Sequence, residues 1–173
     1  MGRDKALLPY RGSTLLEHMA ALVREAVGSV SVIADPARYA RYGYPVYADR
    51  VTECGPAGGI YTALCVSRAE WNLMVACDMP GVTVELLRAL IEMTSQPIGN
   101  CVIPVGPNGE PEPLCGLYHA RCLPELDRAI LEKRFRMKDL IRELEPIFMI
   151  APSGCFSNAN TPEEWAQIGE NAR

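Results

Sequence analysis

The sequence predicts an α/β protein built on a mostly parallel sheet, covered by helices on both faces, with one antiparallel strand. Three observations predict it. Short apolar runs alternate with amphipathic helical stretches along most of the chain. Three of those runs end directly on an acidic residue: Asp35, Asp49 and Asp78. A loop dense in proline and glycine at residues 106–113 precedes the one strand free to run the other way. The 173 residues carry no internal repeat and no low-complexity linker, so a single domain spanning 1–173 is expected.

Taken in order, the first helix opens at Thr14, a hydroxyl cap with Glu17 three residues on. Leu15, Leu16, Met19, Leu22, Val23 and Ala26 follow at helical spacing, and Gly28 stops it. Residues 29–34 (SVSVIA) read as a buried strand bounded by Asp35-Pro36, and residues 46–48 as a weaker one ending at Asp49. The turn GPAGG at 55–59 hands over to a helix at about 60–67, with Pro56 suited to its first turn. Residues 71–76 (WNLMVA) form the cleanest central strand. A helix at 84–93 and a strand at 101–105 come next. Beyond the 106–113 loop lie a strand at 114–119, helices at 123–132 and 137–143, a short strand at 147–150 and a terminal helix opening at Pro162.

Composition narrows the function. A net charge of -4 provides no global basic field for nucleic acid or an anionic membrane. No apolar run approaches the roughly 18 residues of a membrane span, and no signal-peptide pattern precedes the first charges, so a cytoplasmic protein is expected. The seven cysteines stand singly without a C-x-x-C pair, which points to reduced thiols rather than a zinc site or disulfide framework. His18 and His119 lack partners at ligand spacing and read as structural.

Ligands of an open parallel sheet bind beyond the carboxyl ends of its strands. Asp78 is the sharpest candidate, held between an apolar strand and the proline-locked turn at Met79-Pro80. A hard carboxylate there suits Mg²⁺, which takes one or two carboxylates plus substrate phosphates; equally, an aspartate there can cap the next turn or helix. Gly55 and Gly58 either let the backbone approach an anion or make a bare strand-to-helix turn. Lys5 by itself is a surface cation. Lys133, Arg134, Arg136 and Lys138 form either a local phosphate-binding patch or a solvated face. Thr161, Pro162 and Glu163 are a helix start, which leaves Asn158 and Asn160 on one extended face as candidate ligand contacts.

The chain opens on MGRDKALL, which reads like the second half of a nucleotide-binding signature. Together with GSTLLEH, GPAGG, CDMP, EPLCGLY and NANTPEEW, in that order across nearly the whole chain, it resembles the MobA family, the molybdenum cofactor guanylyltransferases within the MobA-like nucleotidyltransferases. The resemblance implies a Rossmann-like three-layer α/β/α nucleotidyltransferase fold. It also implies a first, central strand and a glycine-rich loop ahead of M-G-x-D-K that this sequence does not carry. An N-terminally truncated domain is therefore expected, with unpaired backbone exposed on the neighbouring strands.

Carried over by position, Lys5 contacts the GTP phosphates, Asp49 belongs to the guanosine site, and Asp78 holds Mg²⁺. Asn158 and Asn160 sit near the second substrate or metal, and Arg134 with Arg136 lies at a pterin-phosphate site. Ile33 stands where some relatives carry an asparagine. The implied reaction moves GMP from GTP onto the phosphate of molybdopterin and releases pyrophosphate, with the pterin delivered by other cofactor-biosynthesis proteins. A cytidylyl- or sugar-phosphate nucleotidyltransferase, or a non-catalytic nucleotide-binding remnant, is the alternative.

Overall fold

Asp4 caps a short 3-10 turn over Lys5–Leu7, and the computed structural model describes residues 4–95 and 99–156. Strands β1 (Pro9–Tyr10) and β2 (Ser13–Thr14) form a small antiparallel hairpin, which the sequence reading did not anticipate. It delivers Thr14 to the start of helix α1 (Leu15–Val27). The expected reciprocal cap is present: Glu17 N–H donates to the Thr14 hydroxyl at 3.3 Å, and Thr14 N–H donates to the Glu17 carboxylate at 2.9 Å. Gly28 ends the helix in the left-handed region at φ 81°, where a Cβ would be strained.

Strand β3 (Val32–Ile33) pairs in parallel with β4 (Val46–Tyr47) across the short helix α2 (Pro36–Tyr39). Both strands are shorter than the 29–34 and 46–48 runs suggested. Their ladder has only two registers, and among the described residues neither strand has another partner. Helix α3 (Gly55–Val66) starts about five residues earlier than expected. The GPAGG segment is therefore its first turn rather than a loop ahead of it. Pro56 explains the start, since its missing N–H costs nothing there. Gly58 packs closely: a Cβ would lie 3.1 Å from Cys54 Cβ and 3.2 Å from the Val51 carbonyl oxygen, so those neighbours would have to give way slightly.

The main sheet contains β5 (Trp71–Val75), β6 (Cys101–Val105), β7 (Cys115–His119) and β8 (Pro146–Ile150), in the order β5-β7-β6-β8. As expected, β7 is the antiparallel member: it opposes both β5 and β6, while β6 and β8 run parallel. Helices α4 (Val84–Glu92), α5 (Leu123–Leu131) and α6 (Met137–Glu143) complete the fold.

The period-2 alternation of the strands divides the core into two clusters, one on each face. Val102 and Leu117 join Leu15 of α1 and Leu87 and Leu90 of α4 in one cluster. Ile103 and Tyr118 point the other way, among Ile60 of α3, Leu126 of α5 and Leu140 of α6. The result is a three-layer α/β/α arrangement.

The sheet is not continuous. The β3–β4 pair and the four-stranded sheet are separate, and a cavity of about 790 Å³ lies between them. Its walls are β3 and β5 at the sides, Met19 and Val23 of α1 on one face, and Ile60 and Ala63 of α3 on the other. No described helix is long and apolar enough to cross a membrane.

Candidate active site

Asp78 sits three residues beyond the carboxyl end of β5, in a turn whose Met79 side chain is buried at 4% exposure and anchors it in the core. The next helix is capped by Thr83, whose hydroxyl accepts from Leu86 N–H at 3.3 Å. The capping alternative for Asp78 on that helix is thereby removed. Among the described residues nothing hydrogen-bonds or ion-pairs with its carboxylate, which is half-buried at the rim of the sheet.

Two further segments converge on this rim. Asp4 Oδ1 accepts from Ala6 N–H at 3.2 Å and so fixes the turn that carries Lys5. Asp4 Oδ2 accepts from the Tyr39 hydroxyl at 2.6 Å and from Arg38 Nη2 at 2.8 Å. Tyr39 and Arg38 belong to α2, immediately beyond β3, so the loops after β3 and β5 open on the same side. Cys77 reports how close these groups are. Burial, then the charges of Asp78 and Asp4, raise its thiol to about 12. Burial and the bond to Asp4 likewise raise the Tyr39 phenol to about 12. Cys77 is thus a neutral thiol under the influence of two carboxylates, not a nucleophile.

Asp35, the other strand-end acid, is occupied structurally: its Oδ1 accepts from Ala37 N–H at 2.9 Å and caps α2. Asp49 is exposed in the loop after β4. That loop is tied to α3 by Arg50 N–H, which donates to the buried Thr62 hydroxyl at 3.0 Å. Gly55 and Gly58 stand in the first turn of α3.

The basic cluster proves to be engaged. Arg134 bonds Glu132 at 2.8 Å and Glu143 at 2.6 Å, which raises its already high pKa. Arg136 lies 3.9 Å from Asp139 and is 83% exposed. Lys138 pairs with Glu110 in the loop leaving β6, which brings the start of α6 to the carboxyl rim of the sheet. Arg134 therefore meets a phosphate only by exchanging two carboxylate partners, whereas Arg136 is accessible as it stands. Asn158, Asn160 and the helix expected at Pro162 lie outside the described residues.

Sequence reasoning missed Arg38 and Tyr39. They carry no motif of their own, and their contact with Asp4 joins positions 34 and 35 residues apart.

The described residues contain no cluster of three or more His, Cys, Asp or Glu able to hold a metal on protein ligands alone. One half-buried rim carboxylate nevertheless fits a hard cation whose remaining ligands are phosphate oxygens and water.

Known proteins bear on this geometry. Residues 1–147 match the MobA-like NTP transferase domain family. The chain is 30% identical to a probable molybdenum cofactor guanylyltransferase from Flavobacterium johnsoniae, covering 99% of this chain and 90% of that protein. It is 31% identical to a molybdenum cofactor guanylyltransferase from Photobacterium profundum, covering 98% and 88%. In three dimensions it resembles the molybdopterin-guanine dinucleotide biosynthesis protein A of Archaeoglobus fulgidus, with a TM-score of 0.78 at 24% identity over 98% of this chain and 91% of that one. The 2-C-methyl-D-erythritol 4-phosphate cytidylyltransferase of Thermus thermophilus shares the fold, with a TM-score of 0.72 at 16% identity over 98% and 94%. The expected nucleotidyltransferase fold is confirmed, and the chain belongs to the MobA-like NTP transferase domain family.

Proposed function

We propose that this protein is a molybdenum cofactor guanylyltransferase, transferring GMP from GTP to the terminal phosphate of molybdopterin. A pterin phosphate oxygen attacks the α-phosphorus of GTP. The bond from that phosphorus to the bridging oxygen breaks, and pyrophosphate leaves with the electron pair. The attacking oxygen is already ionised at neutral pH, so no strong general base is required. That suits a rim where Asp4, Asp78 and Lys5 stand beside Arg38, a neutral tyrosine and a neutral thiol.

The observation that carries this reading is the Asp78 carboxylate just beyond the carboxyl end of β5, which has no hydrogen-bond or ion-pair partner among the described residues. Asp78 would hold Mg²⁺, and the ion when bound would neutralise phosphate charge. The work of the chain itself is alignment and electrostatics. Lys5 takes the triphosphate, Asp49 with the first turn of α3 at Gly55 and Gly58 takes the guanosine side, and Arg136, Asn158 and Asn160 take the pterin phosphate. Arg134 joins them after releasing Glu132 and Glu143.

Pyrophosphate release with GTP and molybdopterin, compared with CTP, tests the nucleotide. Asp78→Ala is expected to lower turnover at least about a hundredfold while leaving the thermal melt unchanged, because loss of electrostatic stabilisation of a developing charge has that scale. Unchanged GTP consumption in Asp78→Ala would falsify the assignment. Equal rates with CTP would move the protein to a different nucleotide specificity.

A further inference from the structure

The turn carrying Lys5 consists of three residues. Its backbone bonds are two: Leu7 N–H to the Asp4 carbonyl at 3.1 Å and Leu8 N–H to the Lys5 carbonyl at 3.2 Å. The side chain of Asp4 provides the third tie, through Ala6 N–H. That carboxylate is itself gripped from outside the segment by Tyr39 at 2.6 Å and Arg38 at 2.8 Å. Asp4 is 17% exposed and Arg38 58% exposed. The shielded acceptor is therefore set by donors reaching it from α2. Charge-assisted bonds to one carboxylate, with both oxygens used, fix orientation as well as distance.

The electrostatic consequence is as direct. Asp4 and Asp78 both bear on Cys77, so the rim holds two negative charges where a polyanionic nucleotide must approach. Arg38 pairs with Asp4 at 2.8 Å and so offsets one of these two charges. A free Asp4 would repel phosphate and would also compete for the ammonium group next to it in sequence.

We infer that Arg38 and Tyr39 are positioning residues for nucleotide binding, clamping Asp4 so that the adjacent turn presents Lys5 to the phosphates. This rests on the proposed nucleotidyl transfer for its kinetic test, though not for its structural one. In the native chain, Tyr39→Phe removes one hydroxyl and is expected to lower kcat/KM for GTP about tenfold, mainly through KM, since one bond to a charged group is lost. In a Lys5→Ala background the same change is expected to do nothing further. Arg38→Lys should retain more activity than Arg38→Ala. Equal losses from Tyr39→Phe with and without Lys5 would overturn the inference, because they would mean that the tyrosine acts elsewhere.

If no nucleotide is turned over at all, the functional reading fails, yet the clamp can still be judged by amide exchange. Tyr39→Phe should speed exchange at Ala6, Leu7 and Leu8 at least severalfold and leave the middle of α1 unchanged. Unaltered exchange at those three amides would also sink the inference.

Discussion

Strands β5 and β6 each contribute five residues to one sheet, and both are rich in apolar side chains, yet their surroundings differ sharply. In β6, Cys101, Val102 and Ile103 are fully buried, and the strand pairs with β7 on one edge and β8 on the other. In β5, all five residues are only partly buried. Its one described pairing is with β7, and its other side faces the cavity shared with β3. Apolar sequence makes a strand fit for the interior of a parallel sheet. Burial also requires neighbours on both edges as well as helices on both faces, and of these two strands β6 alone has all four. The candidate site lies on the less complete side of this division: Asp78 follows β5, and the clamp on Asp4 follows β3.

The largest expected effect tests this difference directly. Ile103→Ala in β6 removes a fully buried side chain from the α3–α5–α6 face and should cost about 2–5 kcal/mol. Leu73→Ala in β5 should cost less than about half of that, since part of its surface is already exposed. Urea denaturation of both variants measures the pair. A larger loss at Leu73 would show that the β5 side carries the stability.

A second comparison turns on the sign of the change. Ala129 in α5 is fully buried in a packed cluster, so Ala129→Leu should destabilise by about 1–3 kcal/mol through overpacking. Ala63 in α3 lines the cavity of about 790 Å³. There the same substitution fills empty apolar space and should stabilise by about 0.5–2 kcal/mol. Thermal melts of the two variants are expected to move in opposite directions, and a shared downward shift would mean that the cavity wall cannot accept added volume.

What was readable in the sequence follows the same division. β6, β7 and their helices were legible because each has a full periodic signal and neighbours that satisfy it; the antiparallel sense of β7 followed from the length of the loop before it. The 29–34 run was read as a full strand because SVSVIA is β-branched, but Val32 and Ile33 alone find a partner, in the two-residue β4. Asp35-Pro36 marked a strand end correctly. It was also a helix start, an aspartate cap with proline at the first position, and the next four residues carried that information unnoticed. The glycines of GPAGG read as a turn, whereas Gly58 lies in the first turn of α3 in close contact with Val51 and Cys54, which a linear reading does not reveal. Asp78 was placed at the rim by strand and proline alone. The Asp4–Tyr39 contact was not, because it joins the N-terminal turn to helix α2 across 35 positions of sequence.

The smallest effect concerns α1, which spans both environments. Leu15 is fully buried beside α4, while Val23 and Val27 face the cavity. With one flank thinly packed, the helix depends more on its own ends, and Thr14→Ala should cost about 1 kcal/mol. Part of that loss depends on pH. The Thr14 hydroxyl and N–H hold the Glu17 carboxyl below its ordinary value of 4.5. A carboxylate with a lowered folded-state pKa contributes stability that is present above 4.5 and is lost as pH falls through the folded value. The gap in melting temperature between wild type and Thr14→Ala should therefore be widest at neutral pH and close steadily below about 4.5. A gap that stays constant down to pH 3 would mean that the Glu17 half of the cap contributes nothing, leaving α1 secured by the threonine hydroxyl and its packing on α4.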